Sequence, residues 1–405
     1  MRKVLTLITL CCLSAAAYGQ YTSPRGNYEA NKPSGKLFNN DMLNVFFAKK
    51  ITTAFGGSDD PSMQKFYASL DADENSLSLG ANIDTRGGNN LNRLSLLFSG
   101  GLKMKAKDKF TTLYEDGEFQ EGNVGATLKL TYFFLGTITT RDQDRVDVIA
   151  NRGLLYAKYD RKAAEHNADY ETLSESERNS LTAADFTMQE RKDYKALAEE
   201  EADYVIENKL YGSARSYWVS LQAYLPFGKN QYMITSDIAT VPLNEENFYA
   251  FDTSVTFTGM LEFPRFISMY GTLKFNVKNN NNIKVDGLES QPFQTTVAGA
   301  GGTTVITDST DGYETNFTEF ITPSINIEPA FFFFNNTVGF SPMLEFNFGK
   351  YDKINWKLGI PFSFKDRKGE KAVNFEVQWK EINTFDTSVH YVGISTSFLF
   401  GELIK

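Results

Sequence analysis

Residues 91–107 read LNRLSLLFSGGLKMKAK, and residues 123–134 read NVGATLKLTYFF. In the first run Leu94, Leu96, Phe98, Leu102 and Met104 fall on one side of a two-residue period. Ser95, Ser99, Lys103 and Lys105 fall on the other, with Leu97 interrupting the polar row. The second run sets Val124, Ala126, Leu128, Leu130, Tyr132 and Phe134 against Asn123, Thr127, Lys129 and Thr131. Strands with one apolar and one polar face, repeated along a chain, are the staves of a membrane barrel or the leaves of a sandwich.

The same grammar recurs toward the C-terminus. Ile354, Trp356, Leu358, Ile360, Phe362 and Phe364 alternate with Asn355, Lys357, Ser363 and Lys365, while Val373, Phe375, Val377 and Trp379 alternate with Asn374, Glu376, Gln378 and Lys380. Ile267, Met269, Leu273, Phe275 and Val277 do so against Ser268, Thr272, Lys274 and Asn276. The first strand is expected over Leu43–Phe55, the last over Val389–Phe400, with Gln231–Ile238 and Phe317–Ala330 among those between and a weak one near Phe110–Tyr114. The fold class this predicts is all-β, a transmembrane antiparallel β-barrel of about 12–16 strands with a helical-hairpin insertion. Pro323, Pro329 and Pro361 each delete a ladder donor within these runs, so bulges or strand ends are expected there.

Residues 1–19 have the layout of an export signal, with Arg2 and Lys3, the apolar run Val4–Leu13, and Ala17-Tyr18-Gly19 before Gln20. Removing them removes Cys11 and Cys12, the only cysteines, so disulfides cannot hold the mature chain. Aromatic residues make up 14% of the chain, which suits girdles at two membrane interfaces. A formal charge of −9 with no basic stripe argues against nucleic acid as a partner.

Three segments depart from the strand pattern. Residues 20–42 are polar and turn-rich, a tail or a small plug ahead of a barrel spanning 43–400. Residues 141–210 carry 11 Lys/Arg against 17 Asp/Glu and read as two helices. Ser174 to Glu177 and Thr187 to Glu190 are capping boxes. One helix has the stripe Val146, Ile149, Gly153, Tyr156 and Tyr159; the other has Tyr194, Leu197, Ala198, Tyr204 and Val205. Tyr194, Leu197, Tyr204 and Val205 are the candidates for docking a partner, against a plain solvated face. Long barrel loops are usually extracellular, which puts the insertion outside. Residues 279–316 form a second long connection, with a short strand expected at Thr303–Thr307. Its Asp308, Asp311 and Glu314 lack the full pattern of a calcium loop, so an exposed acidic loop is expected and no metal.

No HExxH, GxSxG or phosphate-binding glycine loop occurs, and no cofactor is expected. His390 lies near Ser388, a pairing read as structural. If the polar faces line a lumen, they place Lys103, Lys105, Lys129, Lys274, Lys357, Lys365 and Lys380 inside with Glu328, Glu345 and Glu376. Such charges either set a transverse field in a channel or pair to fill a closed interior.

The signal ending Gly19-Gln20, the aromatic alternating strands and the short turns resemble outer-membrane β-barrels of the Bacteroidetes. In size and N-terminal segment the chain is also similar to barrels that transport fatty acids. This resemblance implies the outer membrane of a Gram-negative bacterium, with lipid and lipopolysaccharide around the barrel and no enzymatic activity. It implies a channel or porin for small polar or amphipathic solutes. The alternative is a structural or assembly subunit of an envelope complex, meeting other outer-membrane or periplasmic proteins through the 141–210 helices.

Overall fold

A computed structural model describes residues 21–54, 65–71, 76–87, 91–105, 114–115, 118–119, 121–181, 183–237, 242–298, 304–334, 336–365 and 371–400. The expected signal, residues 1–19, lies outside the described residues. The chain divides into a helical unit (Met1–Lys50, Arg86–Leu94, Ile138–Ser213) and a barrel unit (Ile51–Thr85, Ser95–Thr137, Ala214–Lys405).

Twelve antiparallel strands close the barrel. They are β1 (Phe66–Asp71), β2 (Ser76–Asp84), β3 (Leu96–Lys105), β4 (Val124–Phe133), β5 (Ser213–Pro226) and β6 (Asp252–Phe263). The ring continues through β7 (Ile267–Asn281), β8 (Glu319–Phe333), β9 (Val338–Asn347), β10 (Ile354–Lys365), β11 (Lys371–Asn383) and β12 (Ser388–Phe400). Each strand pairs with the next, β5 pairs with β6, and β1 closes on β12 from Phe66↔Phe400 to Asp71↔Ser395. Closure leaves no unpaired edge. Pro323 and Pro329 on β8 pair opposite Val277 and Gly271 on β7, and Pro361 opposite Glu376 on β11, but on the β9 side the pairing is interrupted at Glu328–Ala330 and at Ile360–Pro361 and starts only after Pro323, with no shift of register.

The alternation turns apolar side chains outward and polar ones inward. On β10 Ile354, Ile360 and Phe364 are 52%, 41% and 58% exposed, while Asn355, Lys357 and Ser363 are buried. The same holds on β4, where Leu128 and Tyr132 are exposed and Thr127 and Thr131 buried. The outer surface is thus a band of apolar side chains, and the interior is lined with Ser, Thr, Asn, Lys and Glu.

The two barrel ends differ. At one end lie the start of β1, the end of β12, the turn 264–266, and the adjoining ends of β8 and β9 and of β10 and β11. The 79-residue excursion between β4 and β5 also leaves from this end. At the other end the connections 227–251 and 282–318 build a four-stranded sheet from Asn230–Thr235, Asn244–Phe248, Gln291–Ala298 and Thr304–Glu314. Its core is Tyr232, Ile234, Phe248, Ala250 and Tyr313, with Ile283 supplied by the short helix Asn282–Asp286. The strand expected at Gln231–Ile238 therefore belongs to this sheet and not to the barrel wall. The strand expected at Thr303–Thr307 is the start of Thr304–Glu314. Near the weak strand expected at Phe110–Tyr114 the described residues hold only the two-residue pair Tyr114–Glu115 with Glu118–Phe119.

Residues expected to form the first strand fold otherwise. Helix α1 (Arg25–Ala30) and helix α2 (Asn40–Ala54) occupy the segment read as a tail followed by a strand. Met42, Val45, Phe46 and Ile51 are buried, a set that satisfies a helical period as well as the alternation of Leu43, Val45 and Phe47 suggested a strand. The barrel accordingly starts at Phe66 and not at residue 43.

The insertion is helical as expected: α3 (Asp142–Thr172), α4 (Glu175–Ser180) and α5 (Ala183–Glu207). Ser174 and Glu177 form the capping box at α4. Thr187 does not cap, because α5 begins a turn earlier, at Ala183. Helices α3 and α5 run antiparallel, with Arg152 paired to Glu201 and Lys162 to Asp193. The buried stripe of α3 is Val148, Arg152, Tyr156, Tyr159 and Ala163. Val146 and Ile149, expected on the buried face, are exposed instead. A polar stripe was buried because α5 supplies its partners.

The segment before α1 is strapped to these helices. The Asn167 carboxamide accepts from the Tyr21 backbone N–H at 2.8 Å and donates to the Tyr21 carbonyl at 2.9 Å. The Tyr21 hydroxyl donates to Asp193, the Thr22 N–H to Glu190 at 2.9 Å, and the Ser23 hydroxyl to Asp160.

Candidate functional site in the barrel interior

Four neighbouring strands build a buried charge cluster on the inner wall. Lys357 Nζ lies 2.6 Å from Glu328 Oε1 on β8 and 3.4 Å from Glu376 Oε1 on β11. The Ser341 hydroxyl on β9 donates to Glu376 Oε1, and Gln378 Nε2 donates to Glu376 Oε2 at 2.8 Å. An ammonium removed from water needs such partners, since unpaired burial of the charge is costly. Gly359 makes the cluster possible, because a Cβ there would collide with the Glu376 carboxylate and the Ser341 hydroxyl.

A second group lies nearer the end that carries the small sheet. Lys278 Nζ is 3.4 Å from Glu345 Oε1, and Asn355 Nδ2 donates to Glu345 Oε2 at 2.8 Å. Asn355 Oδ1 in turn accepts from the Asn383 N–H at 2.9 Å, and the Tyr351 hydroxyl donates to the Asn383 carbonyl. Toward the opposite end, Leu97, Phe133, Trp218, Met260, Tyr270 and Phe332 point inward and are buried. Phe133 and Trp218 have ring centroids 6.0 Å apart, and Tyr270 and Phe332 are at 5.5 Å. Leu97 was the only sequence signal of this inward apolar layer.

The alternation places Lys103, Lys105, Lys129, Lys274, Lys380, Lys357, Glu328, Glu345 and Glu376 on the inner face, in register with buried Ser, Thr and Asn. The side chain of Lys365 lies outside the described residues. The residues do not form one cluster. Lys357 gathers Glu328 and Glu376, Glu345 takes Lys278, and Lys105 lies 3.8 Å from Asp252. In the ring of twelve, β3 and β4 stand six strands from β9 and β10. Lys103, Lys105 and Lys129 thus lie across the barrel from the wall that carries Glu345 and Glu376. Lys278, Asp252, Ser341 and Gly359 were not singled out from sequence, because their roles come from register and not from local pattern.

The four docking candidates belong to the helical unit. Leu197 and Val205 are fully buried in it, so their stripe is the unit's own core and not a free surface. Tyr204 is half-buried, and the Tyr194 hydroxyl donates to Asp41 at 2.6 Å while accepting from Asn31 at 2.7 Å.

His390 sits on the outer face, where Nε2 is 3.8 Å from Glu381 Oε2. Trp356 Nε1 donates to the same carboxylate oxygen at 2.8 Å, and Trp379 packs against Trp356 at 5.2 Å. Among the described residues no group of His, Cys, Asp or Glu could hold a metal ion. The chain matches no known protein-family model and no curated protein sequence.

Proposed function

We propose that this protein is a non-catalytic outer-membrane barrel of a Gram-negative bacterium that passes small polar or amphipathic solutes along its polar interior. The observation carrying this reading is the inverted distribution of side chains. Exposed Leu, Ile, Val and Phe ring the barrel while Lys, Glu, Asn and Ser are buried inside it. Water penalises such an outer surface, and a hydrocarbon layer does not. Aromatic side chains near both ends, Phe266 and Phe334 at one and Phe227, Trp356 and Trp379 at the other, suit two lipid interfaces.

The position of the insertion supports an orientation. Short turns and both barrel termini normally face the periplasm. The chain leaves the wall for residues 141–210 and returns to it at that same end, so we infer a periplasmic connection for the insertion, opposite to the side expected from loop length. Lipopolysaccharide then surrounds the end with the four-stranded sheet. Because Lys357, Glu376 and Gln378 are tightly buried, the path is narrow and selective rather than a wide pore.

Purified protein reconstituted in planar bilayers should show conductance steps, and Lys274→Glu should move the reversal potential toward cation preference. Solubility of the folded chain in buffer without detergent would overturn the membrane reading. Membrane insertion with no conductance would overturn transport.

A second reading, an assembly subunit, draws on helix α3. Val146, Ile149 and Leu154 are 66%, 51% and 72% exposed on the helix. Deleting residues 141–210 and finding co-purifying envelope proteins unchanged would remove that reading.

A further inference from the structure

The mouth that carries the four-stranded sheet is partly roofed, and the roof has a weak joint. The short helix Asn282–Asp286 follows the end of β7, and its Asp286 Oδ1 accepts the Phe385 backbone N–H at 3.0 Å. Phe385 sits in the turn between β11 and β12, and β11 stands four strands from β7 in the ring of twelve. Groups a third of the way round a ring meet where they lean in over its opening. The aromatic contacts agree with this. Phe320, on the inner face of β8 in line with buried Thr322 and Ser324, has its ring 5.8 Å from that of Phe385. The ring of Tyr351, from the connection between β9 and β10, lies 6.0 Å from Phe385 on another side. Phe385 therefore leans into the mouth.

The two sides of this joint are held unequally. On the helix side, the Asn281 side chain caps the helix by accepting the Lys284 N–H at 2.9 Å. Ile283 and Val285 are buried, Ile283 in the core of the sheet. The sheet is stitched from two connections, since Ile234 pairs with Tyr313 and the Thr315 N–H donates to the Thr235 carbonyl at 2.8 Å. On the other side stands the turn Thr384–Thr387, closed on itself by the Thr384 N–H to the Thr387 carbonyl at 2.7 Å. The Tyr351 hydroxyl holds its root at the Asn383 carbonyl. Its tip, with Phe385 half-buried, is tied to the helix by the bond to Asp286. Segments with few buried contacts open at the least cost in free energy.

We propose that the turn Thr384–Thr387 is a lid, latched by Asp286 and carrying Phe385 as its stopper, that controls entry to the barrel interior from this end. The proposal rests on the reading of the interior as a solute path and adds its regulation.

The test starts from Asn326→Cys, which places a thiol below Phe320 on the inner face of β8. In the full chain in detergent micelles, its modification by a charged methanethiosulfonate is followed by mass spectrometry of the peptide. Asp286→Ala in this background should speed modification about tenfold, the effect of losing one hydrogen bond to a charged acceptor. Asp386→Ala, which removes an exposed carboxylate from the same turn, should leave the rate unchanged. In a separate variant, Asp286→Cys joined to Phe385→Cys by a short bismaleimide should lose the conductance steps that the unjoined variant shows in planar bilayers. Retained heat-dependent gel mobility shows that each variant is folded. Failure of the cross-link to form, equal modification rates with and without Asp286→Ala, or an equal rise with Asp386→Ala would overturn the proposal. Conductance that survives the cross-link would sink the lid and spare the channel. Modification governed by Asp286 with no conductance in any variant would support the lid and sink the channel.

Discussion

Arg152 and Glu201 meet at 2.6 Å inside the helical unit, with their side chains 6% and 1% exposed. Arg152 Nη2 also donates to the Leu37 carbonyl at 2.6 Å, and the Tyr28 hydroxyl donates to Glu201. The pair thus ties α3 and α5 to the segment between α1 and α2. Removing one member leaves the other charge buried and unpaired, which costs about 3–5 kcal/mol. Glu201→Gln should lower the midpoint of helix loss, followed by circular dichroism at 222 nm, while the barrel keeps its heat-dependent gel mobility. An unchanged midpoint would mean that solvent reaches the pair.

Acid should loosen the N-terminal strap. Burial works against the charged form of Asp193, yet donors from Lys162 and Tyr21 hold its carboxyl below the usual carboxylate range. A carboxyl depressed in the folded state gives stability that is complete above its unfolded value, near about 3.9, and is lost as pH falls through the folded value. Glu29 is half-buried, which works against its charge, yet Lys32 and Tyr156 hold it low, so it titrates with the same sign. Protection of the Tyr21–Arg25 amides against hydrogen exchange, taken relative to the intrinsic rate at each pH, should therefore be high at neutral pH and fall in acid. Asp193→Asn should already show fast exchange at neutral pH and keep only the part of the pH dependence that Glu29 supplies.

In the barrel, Lys357→Met should destabilise by about 3–5 kcal/mol, because Glu376 would stay buried without its cation. The double variant Lys357→Met with Glu376→Gln should recover part of that loss. Gly359→Ala presses a methyl group against Glu376 and Ser341 and should cost about 1–3 kcal/mol. Urea titration of refolding into lipid vesicles measures all three. Additive effects in the double variant would show that the two residues are not coupled.

Ile360 points outward from the middle of β10. In a bilayer, Ile360→Arg should cost about 2–4 kcal/mol in the same refolding assay. The same substitution on a water-facing surface would be close to neutral, so a cost near zero would remove lipid from around the barrel.

Much of the wall was legible because the pleat is local. Successive side chains of a strand must point to opposite faces, so Ile354 to Lys365 declares its two surfaces without help from the rest of the chain. Three matters were not local. Residues 40–54 suit either period, and packing in the helical unit chose the helix. Helix α3 offered two faces, and the one with Arg152 was buried because Glu201 on α5 could neutralise it. Phe320 and Phe385, far apart in sequence, became neighbours only through closure of the ring.

By itself the sequence determined that alternate positions of many strands are greasy, that the intervening positions are polar, and that a charged helical segment interrupts them. The tertiary structure decided that twelve strands close, that the chain leaves the wall for the helical segment at the end holding both barrel termini, and which lysine meets which carboxylate. The physical reason is range. Side-chain direction along a strand follows from backbone geometry within two residues, whereas closure, register and charge pairing depend on strands that are distant in the chain coming to lie side by side.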